Sequence, residues 1–179
     1  MKVTRRSSLR DVALAVGGAL RRHGVRAVLT GGACVSIYTD GTYVSRDVDF
    51  VIQSAPTQAQ VDDALAELGF RRDRDRYVHE EVSFYVEFPA GPLAVGGDVN
   101  IRPVELPAPD GPILALSATD ICRDRLSAFY HWNDHQSLTQ AVAIAGRQRL
   151  DLARLRRWSR DEGKQDEFDE FIKQIRARN

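Results

Sequence analysis

At 179 residues, with 43% hydrophobic and 28% charged side chains, the chain is sized for one substantial core with room for a helical appendage. These proportions exclude a disordered or collagen-like protein, and no apolar run approaches the ~18 residues of a membrane span. The formal net charge is zero, but residues 1–26 carry +6, residues 27–120 carry −9 and residues 121–179 carry +3. An acidic centre between basic flanks suits a metal site beside a surface that attracts polyanions, and ordinary solvated helix faces give the same pattern.

In chain order, Ser7 or Ser8 caps a helix whose apolar positions Leu9, Val12, Ala13, Val16 and Leu20 follow helical spacing, with Gly24 at its C′ position. "RAVLTGG" reads as a short buried strand ending in a glycine turn, and "ACVSIY" as the first turns of a second helix. Gly41 marks a loop and "RDVDFVI" is a strand. Thr57 and Gln60 form a capping box opening "TQAQVDDALAELGF", which Gly69 ends. "DRYVHEE" and "VSFYVEF" are adjacent strands, and the Pro/Gly-rich residues 89–112 hold one more in "DVNIRPVEL". From Ser117 onward only helices follow: "SATDICRDRLSAFYHW", then "HQSLTQAVAIAGR" capped by Asp134, then "RLDLARLRRWSRDEG". A last helix carries Phe168, Phe171, Ile172 and Ile175. The order α-β-α-β-α-β-β-β followed by helices predicts an α+β (α/β-like) fold. Its small mixed β-sheet, flanked by helices, occupies residues 1–116, and residues 117–179 form a C-terminal helical subdomain packed on that core. Cys34 and Cys122 lack C-x-x-C spacing and lie in apolar stretches, which predicts buried thiols in a reducing cytoplasm.

The chemistry concentrates in "SRDVDFVI". Residues i and i+2 of a strand share a face ~6.5–7 Å apart, so Asp47 and Asp49 point one way while Val48, Phe50 and Ile52 point into the core. Two carboxylates that close repel, and a divalent cation between them removes that cost. Magnesium suits carboxylates, water and substrate phosphates, and a two-ion site needs its metals ~3.5–4 Å apart. The strand "SFYVEFP" repeats the phase, with Phe84, Val86 and Phe88 on one face and Tyr85 and Glu87 on the other. If the two strands are neighbours, Glu87 completes the acid set, and Asp98 in "GGDVN" is its rival. Taken alone, "DVD" also fits an edge strand with a charged outer face. Gly31 and Gly32 add bare backbone N–H groups between a strand and a helix, where a phosphate can approach.

"LTGGACVSIY…SRDVDFVI" resembles the polymerase-β-type nucleotidyltransferase superfamily, in which a strand, a G-G or G-S turn and a short helix precede an acid–x–acid strand. Within it the chain looks most like small bacterial nucleotidyltransferases of the AbiEii/MenT toxin type, where Ser or Thr stands just before the acidic pair, as Ser45 does here. The resemblance covers roughly residues 8–135. It implies a magnesium-dependent transferase that moves a nucleotidyl group from an NTP such as ATP to an acceptor hydroxyl and releases pyrophosphate. On that resemblance Gly31, Gly32, Ser45 and Arg125 bind the nucleotide, and Asp47, Asp49 and Glu87 are the metal ligands and catalytic acids. Asp134 matches a further family acid or simply caps its helix. The Gly32-to-Asp47 spacing is slightly long, filled by "TDGTY". The acceptor could be RNA such as tRNA, a protein hydroxyl or a small metabolite, with a toxin–antitoxin role implied by resemblance alone.

Other features read as structural. His131 and His135 are separated by the Asp134 cap, which argues against zinc. Tyr38, Tyr43 and Tyr85 could stack on a base but suit core or rim packing. "RRDRDR" is a solvated turn or strand edge, and "RQRLDLARLRRW" an exposed basic helix face open to RNA. Two rival functions remain at this level: a non-catalytic binding module such as an antitoxin partner, and a metal-dependent nuclease.

Overall fold

The computed structural model describes residues 2–178. Helix α1 (Leu9–Arg22) starts where Ser8 and Asp11 satisfy each other: the Asp11 N–H donates to Ser8 Oγ and the Ser8 N–H to Asp11 Oδ2. Its apolar stripe is buried against the sheet, and Gly17 sits so close that a Cβ there would lie 2.8 Å from Ile113 Cγ2. Helix α3 (Gln58–Ala66), opened by the Thr57–Gln60 capping box, packs beside α1.

The sheet has seven strands in the order β3-β4-β5-β2-β1-β7-β6. Strand β1 (Ala27–Leu29) is buried along its whole length, pairing antiparallel with β2 (Asp47–Ile52) and parallel with β7 (Ile113–Ala115). Strand β2 alternates half-buried acids with the fully buried Val48 and Phe50. On its other side it pairs in parallel with β5 (Tyr85–Glu87). Strands β3 (Arg71–Asp73) and β4 (Arg76–Val78) form a hairpin beyond β5, and β6 (Val104–Leu106) closes the opposite edge.

One of these strands bears out a reading of the sequence and another runs against it. "RRDRDR" contributes β3 and a turn with Arg74 at φ +60°, so the charged run is a strand edge, as one of its two readings had it. Residues 113–115 become a strand because β1 needs a partner on its second side, where the Pro/Gly-rich reading left none. "DVNIRPVEL" yields only Val104–Leu106, and Asp98 lies instead in a tight turn with Val95.

Helix α2 (Gly31–Tyr38) follows β1 directly, and "TDGTY" closes its far end: Gly41, at φ +75°, returns its N–H to the Ser36 carbonyl. At ~1.5 Å per residue an eight-residue helix is ~12 Å long, so this extra turn lies well away from Gly31. Helices α4 (Ala118–Trp132) and α5 (His135–Ala145) form an antiparallel pair leaning on α2, and α6 (Leu152–Asp161) and α7 (Gln165–Arg178) pack behind them. Ser117 caps α4, and Asp134 caps α5 by accepting from the Gln136 and Ser137 N–H groups. No helix among the described residues is long and apolar enough to cross a membrane.

A buried ionic network fastens the Pro/Gly-rich loop to α4. Arg123, only 2% exposed, donates to Asp98 Oδ2 at 2.9 Å and lies 3.5 Å from Asp120, which Arg154 approaches at 2.8 Å. Its guanidinium also sits over the Trp158 ring, 5.8 Å from the centroid. Removing one member of such a set leaves the other buried and under-compensated. Asp98→Ala should therefore lower stability by about 2–3 kcal/mol, read as a urea midpoint shift, while Asp98→Asn loses less because its amide oxygen still accepts from Arg123.

Candidate active site

Three acids converge on the open face of the sheet. The parallel β2–β5 register sets Asp47 opposite Tyr85 and Asp49 opposite Glu87, and residues paired across strands share a face. Asp47, Asp49 and Glu87 each offer a carboxylate oxygen, and these oxygens all lie within 4.8 Å of one another. Asp98 does not join them: its carboxylate is taken by Arg123 and by the Asn100 N–H, which together hold its pKa below the usual range. Of the two acids weighed as third member, the structure brings only Glu87 to the pair.

The acids crowd the glycine turn from below. Gly31 has φ +60°, and a Cβ there would overlap the Asp49 carboxylate. A Cβ on Gly32 would lie 2.6 Å from both Cβ and Oγ of Ser45. The glycines thus make room for the acid strand as well as exposing backbone. Ser45 Oγ donates a short hydrogen bond to Asp47 Oδ1 and so orients that carboxylate. Thr30, at the N-cap of α2, bonds the Asp49 carbonyl through its N–H at 2.9 Å and leaves the helix without a side-chain cap. The leading N–H groups of α2, with the positive end of its dipole, are free for an anion beside the acids.

Electrostatics marks Asp49. Its pKa is pushed up to about 6, first by burial, then by the charges of Asp47 and Glu87, with Arg125 opposing the rise. A cation among the three oxygens would relieve both the desolvation and the repulsion. The donor set is three hard oxygens, which fits Mg2+ or a similar ion. Arg125, on α4, is held by Asp124 and by Gln140 Oε1 at 3.4 Å, and its charge acts on Asp49. The Tyr85 phenol, raised by burial and then by Asp47 and Glu87, borders the same face.

The remaining sequence candidates resolve into structural roles. Asp134 is a helix cap bonded to Ser137 Oγ at 2.7 Å. His131 meets Glu162 at 3.3 Å and His135 packs on Phe129, so they form no metal pair. Tyr38 is buried with its hydroxyl donating to the Leu116 carbonyl, and Tyr43 reaches Gln136 at the loop rim. Cys34 and Cys122 are buried free thiols. Arg154 and Arg156, from the basic helix, face Asp120 and Asp169. The feature that sequence reasoning passed over is Arg76, read as part of a solvated run. Its guanidinium lies over the Tyr85 ring, 4.9 Å from the centroid.

No family model matches this sequence, and no curated protein matches it. Among solved structures, the crystal structure of an antigenic nucleotidyltransferase-like protein from Paracoccidioides brasiliensis is similar. The TM-score is 0.55 at 14% identity, over 76% of this chain and 75% of that one. At that identity the likeness is one of fold: the chain has a nucleotidyltransferase-like α+β architecture.

Proposed function

We propose that the chain is a magnesium-dependent nucleotidyltransferase that moves an NMP from an NTP to an acceptor hydroxyl, with RNA as the favoured acceptor. The observation that carries this reading is the convergence of Asp47, Asp49 and Glu87 beside an uncapped glycine turn. When bound among those acids, Mg2+ supplies charge neutralisation for the phosphates undergoing substitution.

The chain's own groups do the rest. The N–H groups at Gly31 and Gly32 bind triphosphate oxygens at the positive end of α2. Arg125 meets the same phosphates with its planar fork, and Asp124 and Gln140 keep that fork aimed. Ser45 holds Asp47 in its ligating orientation. Glu87, on the far side of the pair from the glycine turn, orients the acceptor hydroxyl and accepts its proton. Helices from Ser117 onward form the far wall of the cleft and, as a subdomain, exclude water from the transfer. A toxin or phage-defence setting in the cytoplasm is consistent with transfer onto tRNA.

Incubation of the protein with Mg2+, each α-labelled NTP and total tRNA should give a labelled acceptor, lost with EDTA and in Asp47→Ala/Asp49→Ala. Identical silence from wild type and double variant would remove the transferase reading. Shortened RNA would identify a nuclease instead.

A further inference from the structure

On the acid-bearing face, a second constellation lies outside the transfer chemistry just described. The register Arg76↔Glu87 on β4 and Asp47↔Tyr85 on β2 puts Arg76 and Tyr85 on the same side of the sheet as the triad. Arg76 is exposed and, among the described residues, makes no ion pair with Glu87, its cross-strand neighbour. It stacks over Tyr85 instead, which leaves its outer face and N–H groups open.

We propose that Tyr85 and Arg76 form the docking platform for the acceptor, and that this acceptor is the unpaired end of an RNA. The proposal rests on the transferase reading above and deepens it. Strand order sets three stations in a row: the glycine turn after β1, the acids on β2 and β5, and the stacked pair on β5 and β4. Adjacent strands lie ~4.8 Å apart, so Tyr85 stands one strand and Arg76 two strands, ~10 Å, from the β2 acids on the side away from the glycine turn. Tyr85 lies two residues from Glu87 on the same face, ~6.5–7 Å along β5, which matches one nucleotide between a hydroxyl at Glu87 and a base resting on the Tyr85–Arg76 pair.

The chemistry of the platform selects the partner. An aromatic ring and a guanidinium plane both stack on bases, and unpaired RNA ends offer such faces where a duplex keeps them stacked. The hairpin continues the path: Arg71 and Asp73 share the face by register through Asp73↔Arg76, and Arg74 is exposed in the turn between the two strands. A hairpin whose four arginines outnumber Asp73 and Asp75, leading away from an otherwise acidic centre, suits the phosphates of a strand extending outward. A protein hydroxyl would use neither the stacking plane nor this hairpin.

The test uses a 5′-fluorescent single-stranded RNA of about a dozen nucleotides, a length that spans one such groove, followed by anisotropy without NTP. Tyr85→Leu and Arg76→Gln should each weaken binding about ten-fold, while Tyr85→Phe stays within about two-fold because the ring remains. Arg76→Gln should also lower the salt slope by about one. The same RNA annealed to its complement should bind wild type more weakly. NTP titration by calorimetry should be unchanged in both platform variants. Since Arg76 is exposed, its variant folds even where Tyr85→Leu does not. Equal RNA affinity for wild type and Arg76→Gln overturns the platform, as does nucleotidyl label appearing on protein with no RNA bound. RNA binding that depends on the platform in a protein that transfers nothing would keep this inference and sink the transferase reading. Labelling that survives with platform-independent RNA binding would do the reverse.

Discussion

Asp49→Asn should abolish nucleotidyl transfer, by about a thousand-fold or more, and at the same time stabilise the metal-free protein at neutral pH. The opposite signs come from one cause. The Asp49 carboxyl has its pKa raised to about 6 in the fold, by burial first and by Asp47 and Glu87 next. In the unfolded chain it ionises near its ordinary value of 3.8. Between those two pH values the unfolded state holds fewer protons than the folded one, so stability falls as pH rises through the window and stays low above it. Because Asp49 keeps some contact with solvent, the loss at pH 7.5 is discounted to about 1–2 kcal/mol. An amide of the same shape escapes it. Calorimetric melting at pH 7.5 should thus show Asp49→Asn above wild type, with the gap closing near pH 4. Added Mg2+ should raise the wild-type Tm and leave the variant's unmoved. A variant less stable than wild type at pH 7.5 would mean that the three acids do not strain one another.

Gly31→Ala should damage both fold and activity, through contacts that no other position reproduces. The residue sits at φ +60°, which costs a side chain about 1–2 kcal/mol, and its new Cβ would overlap the Asp49 carboxylate. The acid strand must shift or the turn must open. We expect a loss of about 2–4 kcal/mol, or a Tm drop of roughly 5–15 °C. Residual transfer should fall about a hundred-fold, because the displaced atoms include the Asp49 oxygen proposed to hold the metal. Gly32→Ala meets Ser45 instead, at 2.6 Å. Pairing Gly32→Ala with Ser45→Gly removes both obstructing atoms, so the double variant should regain folding while still lacking the hydrogen bond that orients Asp47. Wild-type melting and activity in Gly31→Ala would refute the close approach.

Much of this was legible from local sequence chemistry. The caps at Ser8, Thr57, Ser117 and Asp134 depend on residues three apart, and all four start helices in the structure. The acid phase of "DVD" and of "YVE" follows from strand periodicity, and the parallel pairing that unites them was the one conditional step. What stayed hidden depends on distant partners. Residues 113–115 are a strand only because β1, from the other end of the core, has an open side. Nothing local to Arg123 announces its burial, which Asp98 and Trp158 bring about from distant segments. The glycine pair suggested phosphate binding, but the demand that Asp49 and Ser45 make on that space emerges only once β2 lies beneath the turn.

The parallel union of β2 with β5 also sets when the protein becomes competent. A hairpin can zip from its turn, but these two strands meet only after the whole of α3 and the β3–β4 hairpin have been laid down between them. Pairings of that reach form late and slowly, because the intervening chain must first be ordered. A nascent or refolding molecule therefore acquires helices and a collapsed interior before its three acids converge. The candidate site is thus absent from every partly made copy.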